Sequence, residues 1–242
     1  MRKIHKIWYV IWLVAGLSLF ISGCPSKSGV EGKAWFRYAS KFDEARNITM
    51  ANDDAKKGTT DEDFARMDKI KQKFLRAKQP TETEIISVLK SPKRRFQKTG
   101  LVAMFLKPIE TEQLTEILFG FLQDKDNHFR INALYSLKKF TKFPESRKAD
   151  LGKQLLEIIK HEKSKEIFLA EFHLLAKFPS EEAALFLTEQ LMKEGKENYL
   201  NRNLAFYALK KMGNSYCDEA AEYVKKHGSP EVKKELLERE SY

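Results

Sequence analysis

From residue 81 onward the apolar residues of this chain recur at helical spacing in segment after segment. No stretch alternates apolar and polar as a half-buried strand does. The spacing predicts helices in pairs: 82–90 with 92–106, 111–123 with 126–140, 147–161 with 164–177, 181–194 with 197–212, and 216–227 with 230–240. Ahead of them, a helix from Ala34 to Thr49 carries Trp35, Phe36, Tyr38 and Phe42. Asn52-Asp53-Asp54 and Gly58-Thr59-Thr60 break that pattern. A further helix keeps Phe64, Met67, Ile70 and Phe74 in register until Gln79-Pro80.

Local chemistry supports these cuts. Thr60 to Asp63 and Thr81 to Glu84 have the form of capping boxes, in which hydroxyl and carboxylate satisfy the free amides of a first turn. Ser91-Pro92 and Ser229-Pro230 each put an N-cap serine before a proline at the first helical position. Lys107-Pro108, Phe143-Pro144, Phe178-Pro179, Gly213 and Gly228 fall where helices are expected to stop.

The second helices also repeat. Arg130 to Phe140 and Arg202 to Met212 both read R-x-x-A-x-x-x-L-K-K-[FM]. They stand 72 residues apart with one further pair between them, a period of about 36. In each, a small residue (Ala133, Ala205) allows close helix approach and a leucine (Leu137, Leu209) faces the next unit. The chain here resembles the HEAT-like repeat family. The resemblance covers residues 81–240 and implies an all-α, right-handed α-solenoid of about five helical hairpins, with residues 34–80 as an N-terminal helical cap. It also makes Arg130 and Arg202 structural, bonding carbonyls or an acid of the adjacent repeat. The third unit departs, with Phe168 and Glu171 at the Arg and Ala positions, and Gly100 takes the Ala place in the first. A TPR-like solenoid lacks its Trp and Gly in register. Trp35, Phe36 and Tyr38 either cover the open face of the first repeat or lie at a lipid interface.

The first residues have another pattern. Arg2, Lys3 and Lys6 precede an uncharged apolar run from Ile7 to Ile21, and small residues then lead to Cys24. A basic start, a short apolar stretch and a small-residue cleavage site belong to an export signal. The run is shorter than the roughly 20 residues that span a bilayer. Ile21-Ser22-Gly23-Cys24 resembles the lipobox of bacterial lipoproteins. The resemblance implies cleavage after Gly23, acylation of the Cys24 thiol, and attachment of the mature chain to a membrane of the bacterial cell envelope. Residues 1–23 are then the discarded signal and 24–33 a flexible tether, with 81–242 the repeat body. The leaflet is left open, and a retained single-pass anchor is the competing reading.

With Cys24 acylated, Cys217 has no partner for an intrachain disulfide and reads as a small buried hydrophobe. The net charge of +10 becomes +7 without the first 23 residues, since three cations leave with them. In an exported chain such a charge points to anionic lipid, cell-wall polymer or an acidic envelope protein rather than nucleic acid. The densest basic cluster is Lys90, Lys93, Arg94, Arg95 and Lys98. Cations at a helix start oppose the macrodipole, which suggests an external reason for them.

No catalytic motif, cofactor fingerprint or metal-ligand spacing is present. The histidines are scattered, and the acidic residues lie among lysines on helix surfaces. The expectation is a non-catalytic, membrane-anchored protein-binding scaffold without cofactor or metal. The alternatives are an envelope enzyme with an unrecognised site and a direct binder of anionic lipid or cell-wall polymer through Lys90 to Lys98.

Overall fold

A computed structural model describes residues 29–54 and 59–240. Ile21, Ser22, Gly23 and Cys24, the stretch that resembles a lipobox, lie outside the described residues. Within them every regular element is helical. α1 is Ala34–Asp54, α2 Asp61–Arg76, α3 Glu82–Leu89 and α4 Arg94–Leu106. α5 is Glu112–Phe121, α6 Asn127–Lys139, α7 Lys148–His161 and α8 Lys165–Leu175. α9 is Glu181–Leu191, α10 Tyr199–Met212, α11 Asn214–His227 and α12 Pro230–Glu240. Short 3-10 turns, Glu145–Arg147 and Lys196–Asn198, lead into α7 and α10.

The ends are set by the predicted chemistry. Thr60 and Thr81 each accept from the third backbone amide of their helix, and Asp63 and Glu84 reach back to the cap amides. The Ser180 and Ser229 hydroxyls accept from the Ala183 and Val232 amides, capping α9 and α12 without the reciprocal bond. Gly213 has φ of 145°, a region that side-chain-bearing residues avoid, and it turns α10 directly into α11. Two boundaries differ from expectation. α1 continues through Asn52-Asp53-Asp54, because the few tenths of a kcal/mol those residues cost per position is small against the packing of a long helix on its neighbours. Pro92 precedes its helix by two residues: Ser91 accepts from the Lys93 amide in a tight turn, and α4 begins at Arg94.

Each expected pair packs together: α3 on α4, α5 on α6, α7 on α8, α9 on α10, α11 on α12. The second helices of successive pairs also touch, in the order α4, α6, α8, α10, whereas among the first helices contact is firmest between α9 and α11. Small residues make these approaches possible. A methyl group on Gly100 would sit 2.9 Å from Leu89 Cδ2, and Ala133 and Ala205 are fully enclosed. One hydrophobic core runs from Trp35 to Leu236. Each of its enclosed leucines or phenylalanines contributes about 1.5–3 kcal/mol by leaving water.

α1 covers the end of the second-helix row, lying on α4 and α2. Trp35 and Phe36 are buried, and the Phe36 ring meets Phe96 edge-on at 5.3 Å. A polar chain reinforces this seam. Asp43 accepts from Lys98 of α4 at 2.9 Å and from Arg46 at 3.2 Å, and Arg46 donates to Asn132 of α6 at 2.8 Å. Cys217 is half-buried against the core.

Candidate anion-binding face

The cluster from Lys90 to Lys98 divides once folded. Arg94 makes two parallel bonds of 2.7 Å to the Asp124 carboxylate, and its guanidinium lies 3.4 Å above the Phe129 ring. These bonds raise the Arg94 pKa and lower that of Asp124. Lys98 is tied to Asp43, and Lys93 stands 5.2 Å over Phe96. Arg94 and Lys98 thus have internal reasons for their charge, while Lys90 and Arg95 remain on the exposed surface.

Arg130 and Arg202 form the corresponding ties in later units. Arg130 binds both oxygens of Glu162, at 2.8 and 3.0 Å, and the Asp124 carbonyl at 2.8 Å. Arg202 binds both oxygens of Glu235, at 2.8 and 2.6 Å, and the carbonyls of Lys193 and Gly195 at 2.6 and 2.9 Å. In each case the acid belongs to the next unit, so one guanidinium joins two units and a connector. Arg202 has no solvent exposure.

The third unit has no such arginine. Glu171, in the Ala position, is fully buried, and neither carboxylate oxygen has a hydrogen-bond partner among the described residues. Burial pushes its carboxyl up to about 8, Glu162 adds to the shift and Arg130 opposes it. At neutral pH Glu171 is therefore largely uncharged.

The strongest surface feature lies elsewhere. Because α6, α8 and α10 pack in succession, equivalent residues fall side by side: Tyr135, His173 and Tyr207 in one row, Lys139, Lys177 and Lys211 one turn further on. Lys138 joins them, 5.0 Å over the Tyr135 ring. Lys139 caps the Phe105 carbonyl at the end of α4, and Lys177 caps the Phe140 carbonyl at 2.5 Å.

Partial burial is the main cause that lowers the pKa of Lys138, and repulsion from Lys211 and Lys177 adds to it. Lys177 is lowered by burial, then by Lys211, with Glu110 opposing. His173 is held below its ordinary value by burial and by Lys138 and Lys211. Repulsion of this kind, across three helices and with Glu110 as the nearby acid, is relieved by an anion. The signal for this face was present in the repeat itself: Lys138-Lys139 and Lys210-Lys211 are the K-K of the motif, and Lys177 occupies the same helix end between them.

A cavity of about 670 Å³ opens between the α5–α6 connector and α7, lined by charges of both signs around the Arg130–Glu162 pair. Among the described residues no group of three His, Cys, Asp or Glu side chains is placed to hold a metal ion, and no helix is long and apolar enough to cross a membrane. Compared with protein families, curated proteins and solved structures, the chain matches none.

Proposed function

We propose that this chain is a bacterial envelope lipoprotein, acylated at Cys24 and tethered by the residues that follow. Its repeat body, a right-handed α-solenoid of five HEAT-like hairpins, serves as a non-catalytic scaffold that holds an acidic protein surface near the membrane. The observation that carries the reading is the ladder of Lys138, Lys177, Lys211 and His173 with Tyr135 and Tyr207 beside it, a positive surface assembled from three successive units. Hairpins stacked through their second helices, with an N-terminal helix closing the row, support the repeat architecture. Anchoring supplies effective concentration, so several modest contacts suffice for the scaffold to retain its partner. Arg94 and Lys98 are engaged internally, which moves the anionic contact from the Lys90–Lys98 cluster to the ladder.

Two measurements test this. Poly-L-glutamate titrated against the full chain should bind in a salt-sensitive manner, and Lys138→Glu with Lys211→Glu should reduce affinity by about tenfold or more. Unchanged binding in that double variant, or a preference for phosphatidylglycerol vesicles that survives Cys24→Ser, rejects an acidic protein surface as the ligand. Labelled palmitate should enter the wild type and not Cys24→Ser. A Cys24→Ser chain that is still processed and membrane-bound rejects the anchor.

A further inference from the structure

The groove between α9 and α11 has the opposite chemistry to the ladder. On α9 and its C-cap the wall is the stripe Glu181, Ala184, Leu185, Thr188, Glu189 and Met192, the i, i+3, i+4, i+7, i+8, i+11 spacing of one helical face over three turns. On α11 the facing wall is Tyr216, Glu219, Ala220 and Tyr223, two turns of the same kind. Alanines at the bottom, Ala184 and Ala220, keep the trough open, and it encloses about 630 Å³. Leu185 is 66% exposed and Tyr223 51%, large apolar surfaces for helices that are otherwise well packed. Thr188 bonds its own helix at the Ala184 carbonyl, so its hydroxyl makes no demand on a ligand.

The charges are one-sided. Glu181, Glu189 and Glu219 stand among the lining residues, and no lysine, arginine or histidine does. In a chain of net charge +10 this is a local reversal of sign. An apolar trough with acids on both walls complements an amphipathic helix whose apolar face is flanked by cations. The α9 stripe extends about 16 Å, which accommodates an occupant of roughly three turns.

We propose that this groove docks a basic amphipathic helix of a partner protein. Leucine-like side chains of that helix lie on Leu185 and Met192 between the tyrosines, and its lysines or arginines reach Glu181, Glu189 and Glu219. The site is separate from the ladder and does not depend on it.

The probe is a labelled synthetic peptide of three helical turns with leucines on one face and lysines along both edges. It is compared with a peptide bearing glutamates at those edges and with a scrambled one of the lysine composition. Titrated into the full chain and followed by fluorescence anisotropy, the lysine peptide should saturate and the other two should not. Leu185→Asp and Glu189→Lys should each weaken binding by about tenfold. Because both side chains are exposed, circular dichroism and the unfolding midpoint should stay at wild-type values. The proposal is overturned if the glutamate or scrambled peptide binds equally, if no peptide saturates, or if both variants bind as the wild type does. It is overturned as well if sedimentation shows a dimer that Leu185→Asp dissociates, since the occupant is then a second copy of this chain.

Discussion

Arg202 in the fourth unit and Glu171 in the third are both ionisable, both fully buried, and both on second helices whose neighbours repeat. Their surroundings differ completely. Arg202 meets a carboxylate and two carbonyls with its guanidinium nitrogens, so its charge is retained and even reinforced. Glu171 meets no donor among the described residues, and its proton stays on well above the ordinary range. The same helical stack thus accommodates a buried ion where the next unit supplies its counter-charge, and a neutral acid where it does not. Register alone does not decide which residue a repeat tolerates; the neighbouring unit does.

The comparison breaks most sharply at Arg202. Arg202→Ala leaves Glu235 and two connector carbonyls without their donor and should cost about 3–5 kcal/mol, read from urea unfolding at neutral pH. Arg202→Lys should recover only part of that loss, because an ammonium cannot reproduce the fork.

Glu171 gives the reverse sign. Its native pKa of about 8 exceeds the ordinary 4.5, so the unfolded chain loses this proton first. Its contribution is harmless below pH 4.5, grows more costly as pH rises, and reaches its full cost above about 8. Glu171→Gln removes that dependence. The variant should match the wild type near pH 4.5 and exceed it by on the order of 4 kcal/mol at pH 8.5. Parallel stability curves for the two proteins across that range would remove Glu171 from the account.

Arg94 supplies the smallest effect and scales the other two. Its bidentate bond to Asp124 resembles that of Arg202 in geometry but lies at the surface, with 45% of the arginine side chain exposed. Arg94→Ala should therefore cost about 1 kcal/mol, and less as salt is added. A loss equal to that of Arg202→Ala would show that geometry, not burial, sets the strength of these ties.

Much of this was legible in the chain itself. The helices and their pairing follow from apolar spacing and from caps such as Thr60, Thr81 and Ser229, all of which act within a few residues. Glu171 was visible as the residue that breaks the repeat. What could not be read locally were bonds between residues about thirty or more positions apart. Arg94 with Asp124 and Lys98 with Asp43 made a basic run look unsatisfied when part of it is neutralised. The ladder escaped for a related reason: Lys138 and Lys211 are ordinary cations in the last turn of a helix and Lys177 lies just past one, each favourable to the macrodipole and unremarkable alone. Only the succession of α6, α8 and α10 gathers them, and only the meeting of α9 with α11 turns two modest stripes into a trough.

The grip of Arg202 on the backbone carbonyls of Lys193 and Gly195 has a consequence for a severed chain. The loop between α9 and α10 is where a protease would find accessible backbone, yet that loop is fastened from the side by a residue of the following helix, itself fastened to Glu235. A single cut between residues 196 and 198 should therefore leave two pieces that stay joined and helical, sharing one core, and that part only in denaturant.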